Sequence, residues 1–138
     1  MPHWKPFPGQ LSMAYEGLGV VDGALRGLIR SAAPNRLPHL TRALSHAGTA
    51  RAALSRAPSV FWLFGSPRPA GAAEAEEHTV LAELLNLTEV LVLVLVESAD
   101  QADDPRDEAA CIRASVQTCL LTKALNLALE VRAIQNAV

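Results

Sequence analysis

Cysteine, aromatic residues and uninterrupted apolar runs are all scarce in this 138-residue chain, and each scarcity removes a class of protein. Cys111 and Cys119 are its two cysteines. Eight residues of helix put them about 12 Å apart along the axis, too far for a mutual disulfide. They read as small buried hydrophobes in a reducing, intracellular compartment. The opening MPHWKPFPGQ has prolines and Trp4 where a secretory signal needs a basic region and then an apolar core. No window holds about 18 apolar residues free of charge or amide. Val80 to Val96 contains Glu83, Asn86 and Glu89, and Ala114 to Leu129 contains Lys123. A clean membrane span is therefore not expected, although both windows leave partial embedding open.

What is present is aliphatic. Half the residues are hydrophobic but only six are aromatic, so the apolar mass is Leu, Ala and Val, the composition of packed helices. The length suits one domain, 1–138, able to bury about two-thirds of its unfolded surface. An all-α bundle of four to five helices is the expected fold, with 1–10 as an extended lead and loops at 65–72 and 98–105.

A first helix is expected from about Ser12 to Ala32, closed by the Pro34-Asn35 turn signal. Leu11, Ala14, Leu18, Val21, Leu25, Leu28 and Ile29 share one face at helical spacing, opposite Glu16 and Arg30. Gly19, Gly23 and Gly27 recur every fourth residue as a stripe of small residues suited to helix packing. A second helix, Pro38 to Ala57, carries Leu40, Ala43, Leu44, Ala47, Ala50 and Leu54 on its apolar side. Arg42, Arg56, Ser45 and Thr49 lie opposite, with Arg51 near the edge.

Ser59 to Phe64 is an aromatic segment that suits a short strand or a helical turn. A third helix is expected from near Ala72, but Val90 to Val96 is apolar all round and equally strand-sized. The competing architecture is a small α/β domain with strands near 59–64 and 89–96, and a ligand or cofactor pocket near Gly65, Ser66 and Ser98. Asp104 as a cap and Pro105 at the first helical position open the last helix, Arg106 to about Asn136.

No arrangement of residues identifies a reaction. His39 and His46 are about 10 Å apart along one helix, and His78 stands without a CxxC, HExxH or calcium-loop pattern, so no metal is expected. Neither cysteine has a base at usable spacing, Ser66 lacks a GxSxG elbow, and Gly17-Leu18-Gly19 has no phosphate-loop lysine. No catalytic residue and no cofactor follow.

Charge is sorted along the chain. Arg26 to Arg68 contains seven arginines and no acidic residue, while Glu74 to Glu108 contains eleven carboxylates and only Arg106. The arginines are too dispersed, and too far from aromatics, for nucleic acid. They suit an anionic lipid surface or a protein partner. In the lipid reading Leu40, Leu44 and Leu54 insert while Arg42, Arg51 and Arg56 pair with headgroups. Self-association is a further expectation for a helical interaction module of this composition.

The order of features resembles the peroxin family that elongates and divides peroxisomal membranes. The residues that carry the likeness are Val21-Asp22-Gly23-Ala24-Leu25-Arg26, then Leu44-Ser45-His46 through Arg51 to Arg56, then the apolar Val80 to Val96, the acidic linker, and Cys111 to Ile134. The resemblance implies a non-enzymatic helical protein at the peroxisomal membrane, whose basic amphipathic helix enters one leaflet and bends it.

Overall fold

The structure, a computed structural model, describes residues 10–32, 34–57 and 77–137, with side chains described through Val131. These residues form four helices and no strand: α1 Gln10–Arg30, α2 Leu37–Ser55, α3 Glu77–Gln101 and α4 Pro105–Ala137. The fold is an all-α bundle. The expected aromatic segment 59–64, the loop 65–72 and most of the lead 1–10 lie outside the described residues.

Each helix lies inward along the stripe its apolar spacing dictates. In α1 the inward residues are Leu11, Ala14, Leu18, Val21, Leu25 and Leu28, three or four apart throughout. The chain then tightens, with Ser31 donating to the Leu28 carbonyl and Ala32 to that of Ile29. The helix begins at Gln10 and ends at Arg30, two residues earlier at each end than the Ser12 to Ala32 reading.

Small residues let α2 approach its neighbours closely. Ala43, Ala47 and Ala50 are fully buried between Leu40 and Leu54, and Ala110, Ala114, Ala124 and Ala128 are buried on α4, which packs on α2 and α3. Alanine costs no side-chain entropy on burial and keeps the helix axes near each other.

Val90 to Val96 is helical, which corrects the strand expected at 89–96 in the α/β alternative. A strand would put residues 91, 93 and 95 on one face. Instead Leu91 and Leu95 are buried while Leu93 is 70% exposed, the signature of a helical turn. The branched residues are accommodated because Val90 and Val96 also point outward, where their stiffness crowds no neighbour. The loop expected at 98–105 shrinks accordingly to residues 102–104.

Asp104 caps α4 as anticipated. Its carboxylate accepts the Arg106 backbone N–H at 2.8 Å, its carbonyl accepts from Glu108 N–H at 3.1 Å, and Pro105 opens the helix. That backbone bond and the Arg106 side chain hold the Asp104 carboxyl below its ordinary value.

Around the bundle, α1 packs on α2 and α3, and α4 packs on the same two helices. The pairs α1 with α4 and α2 with α3 therefore occupy diagonals. The short α1–α2 and α3–α4 connections make those neighbours antiparallel. A run of contacts from His46 against Gln117 to Arg56 beside Arg106 makes α2 and α4 antiparallel too. Hence α2 and α3 run parallel at opposite corners. Arg36, just before α2, and Glu77, the first residue of α3, form an ion pair at 2.9 Å that ties their starts together at one end.

Buried hydroxyls join α3 to α4. Thr88 donates to the Leu85 carbonyl, and the single Thr122 hydroxyl proton is shared between two acceptors, Thr88 Oγ1 at 3.0 Å and the Thr118 carbonyl at 2.9 Å. Cys111 is buried on α4, where loss of solvation and then the nearby Asp107 charge push its thiol up to about 11. Cys119 faces outward instead, against the expectation of two buried cysteines. It falls just outside the inward arc defined by Ala114, Thr118 and Leu121.

Candidate interaction groove

The apolar side of α2 was expected to meet lipid or a partner, and in the bundle it faces the core. Leu40 and Leu54 are fully buried and Leu44 is half-buried against the core. The same stripe that could lie on a membrane is here covered by α1 and α4. Arg51 is also committed within the chain. Its guanidinium sits 4.4 Å from the Tyr15 ring centroid and lies over Gly19, filling the corner between α1 and α2. Only Arg42 and Arg56 of the expected cationic residues are exposed.

The glycine stripe divides similarly. Gly19 provides room for Arg51, whereas Gly23 and Gly27 face outward and a Cβ on Gly27 would meet nothing within 4 Å. The close approach inside the bundle comes from Gly17, where a Cβ would sit 3.1 Å from Leu91 of α3.

A different surface assembles between α2 and α4. Thr49, Ala52, Ala53 and Arg56 of α2 face Ile112, Arg113, Val116 and Gln117 of α4 across a groove of about 400 Å³. Its floor is apolar. A second hollow of about 280 Å³ adjoins it, sharing Ala53, Arg56 and Arg113 and adding Arg106, Ala109 and Ala110. Three arginines thus gather at one end of an apolar trough. Arg56 and Arg113 have no carboxylate partner among the described residues, and Arg106 pairs with Asp104 at 3.4 Å.

The groove is held in register farther along by His46, whose Nδ1 is 2.9 Å from Gln117 Oε1. His39 lies nearly two helical turns away on the same helix, about 10 Å along its axis. Among the described residues no three metal-ligating side chains converge. The groove is lined by Ala, Ile and Val together with Thr49, Gln117 and arginines, with no histidine, cysteine or carboxylate among its lining residues. What it offers is apolar contact ending in cationic hydrogen-bond donors.

Of this surface only Arg56 stood out in the sequence. Ile112, Val116 and Leu120 did carry a signal, an i, i+4, i+8 apolar stripe on the side of α4 opposite its Ala and Leu core. A helix apolar on two sides has more to bury than one bundle covers. All three are at least 40% exposed.

The remaining exposed apolar cluster is on α3. Val90, Leu93 and Val96 are 55%, 70% and 53% exposed. Glu89, Glu97 and Asp100 lie on the same outward side, and α3 contains no Lys or Arg. By length and composition α3 could also cross a membrane, with a mean hydropathy of 2.1 over its most apolar window and a third of that window buried.

No protein family, curated protein or solved structure matches this chain, so its resemblance to the peroxin family is carried by order and spacing alone.

Proposed function

We propose that this chain is a non-enzymatic helical interaction module, and that the α2/α4 groove receives an acidic amphipathic helix. The observation that carries the reading is the polarity of the groove, apolar around Ala52, Ile112 and Val116 and cationic at Arg56, Arg106 and Arg113. A helix laid in such a trough buries its apolar stripe and places its carboxylates on the guanidinium groups. Its C-terminal end would carry the negative pole of the macrodipole toward the same arginines.

Fluorescence anisotropy with a labelled Leu/Glu amphipathic helical peptide and its Leu/Lys counterpart tests this. The acidic peptide is expected to bind, and Arg56→Glu with Arg113→Glu to weaken it roughly tenfold or more, about 1.4 kcal/mol. Equal affinity for the two peptides, or none for the acidic one, removes the reading.

A membrane role is the second reading, favoured by the apolar length of α3 and its outward Val90, Leu93 and Val96. On that reading α3 rather than α2 meets the lipid, because Leu40 and Leu54 are not accessible without opening the bundle. Flotation with anionic vesicles tests it, and recovery of wild type and Leu93→Asp alike in the vesicle-free fraction excludes it. A peroxisomal address rests on the family resemblance and is tested by the location of a tagged chain in cells.

A further inference from the structure

We infer that the acidic amphipathic helix received by the groove is α3 of a second copy, so that the chain assembles head to tail through two different faces. This builds on the groove reading and names its occupant. The two faces match in chemistry. The α3 face offers Val90, Leu93 and Val96, with Glu89 before them and Glu97 and Asp100 after them, and the groove offers Thr49, Ala52, Ile112 and Val116, with Arg56 and Arg113 continuing into the adjoining hollow beside Arg106.

They match in length as well. Val90 to Asp100 and Val116 to Arg106 are each ten helical steps, about 15 Å of helix. Apolar residues on α3 therefore come to rest over Ile112 and Val116 when its carboxylates reach the arginine end. The direction is consistent too. Glu97 and Asp100 on α3 and the hollow shared by Arg56, Arg106 and Arg113 both lie toward the end of the bundle where α2 ends and α4 begins. An incoming α3 lying parallel to α2 and antiparallel to α4 repeats the relation it has with α4 inside its own bundle.

Neither face can satisfy the other within one molecule. The α3 helix sits diagonally across from α2, and its outward side points away from the groove. Two distinct faces make a heterologous contact, which continues from copy to copy as a ring or a row with parallel bundle axes. The exposed apolar residues on both sides then become buried, leaving far less apolar surface in water.

Sedimentation velocity with complementary variants tests the inference. Arg56→Glu with Arg113→Glu removes the groove but leaves the α3 face, and Leu93→Asp removes the face but leaves the groove. All the altered side chains are exposed, and circular dichroism checks that each variant is helical. Wild type is expected to associate in a concentration-dependent manner that weakens as salt is raised. Each variant alone is expected to be monomeric, and their equimolar mixture to form a dimer and nothing larger, because each copy retains one competent face.

Wild type that stays monomeric at every concentration overturns the inference. So does association that survives Arg56→Glu with Arg113→Glu, which would indicate α3 meeting α3, and so does a mixture that stays monomeric. The peptide titration performed on Leu93→Asp separates the two proposals. If that variant binds the acidic peptide while wild type does not self-associate, the groove reading stands and its occupant is a different chain.

Discussion

Replacing Gly27 and Gly48 by alanine isolates how much of the glycine content works for packing and how much weakens the helices. Both positions lie inside helices, α1 and α2, and an added Cβ would meet nothing within 4 Å at either one. The only terms left are helix propensity and unfolded-chain entropy, which favour alanine by about 1 kcal/mol per site. For 138 residues, about 2.1 cal/mol/K of unfolding entropy each gives about 0.29 kcal/mol/K in total. Each substitution should then raise Tm by roughly 3 °C and the pair by roughly 6–7 °C, the two effects adding because the sites share no partner.

Gly19→Ala and Gly17→Ala provide the contrast. The Cβ would lie 3.2 Å from the Arg51 guanidinium in the first and 3.1 Å from Leu91 Cδ2 in the second, so a neighbour must move and part of the gain is lost. Differential scanning calorimetry at fixed protein concentration reads all four. A Gly27→Ala Tm equal to or below wild type would refute the reasoning, because it would mean that this outward stripe is covered by something that needs its smallness.

Other outcomes follow from the core, the cap and the thiols. Leu95→Ala, at a fully buried position of α3, should cost about 2–5 kcal/mol in urea unfolding. Thr122→Val should cost about 1 kcal/mol by the same assay, through lost hydroxyl bonding to Thr88 and the Thr118 carbonyl. A thiol reagent should titrate Cys119 quickly and reach Cys111 only on unfolding, and two equally fast thiols would contradict the packing of α4. The Asp104 carboxyl titrates below its ordinary 3.8 in the fold, so its contribution is present above that pH and disappears as pH falls through the lower folded value. Asp104→Asn should therefore flatten the acid limb of the Tm profile.

The parts of the fold visible in the sequence are those fixed by a single helix. The α1 stripe from Leu11 to Leu28 and the Asp104-Pro105 start of α4 follow from spacing and capping within one segment, and both are present. Val90 to Val96 was ambiguous because a run apolar on every side contains no period. Only the neighbours distinguish Leu91 and Leu95 from Leu93. The environment of α2 was open for a related reason, since one amphipathic stripe serves a leaflet and a bundle equally. Three alanines in its centre were the available clue, because Ala43, Ala47 and Ala50 offer little to a membrane and much to a closely packed helix. The groove needed two helices side by side. Arg56 lies fifty residues from Arg106, and no reading of either helix alone places them around one hollow.

The charge segregation that is plain in the sequence acquires a spatial meaning from the topology. Had basic α2 and acidic α3 been neighbours, their charges could have paired along the whole length of the bundle and needed nothing from outside. They lie on a diagonal instead, and among the described residues the Arg36–Glu77 ion pair ties them near their starts. Charges separated by a bundle width exceed the screening length of about 8 Å at physiological ionic strength and barely attract one another through solvent. On the proposed head-to-tail contact, Arg56 and Arg113 on one side and Glu97 and Asp100 on the other would form short-range pairs between molecules. Because apolar residues flank each charged set, such pairs would form partly shielded from water, where they contribute more than an exposed pair does. On that proposal the sorting of charge and the outward apolar residues on α3 and α4 share one explanation, a contact that the folded monomer would carry in two halves.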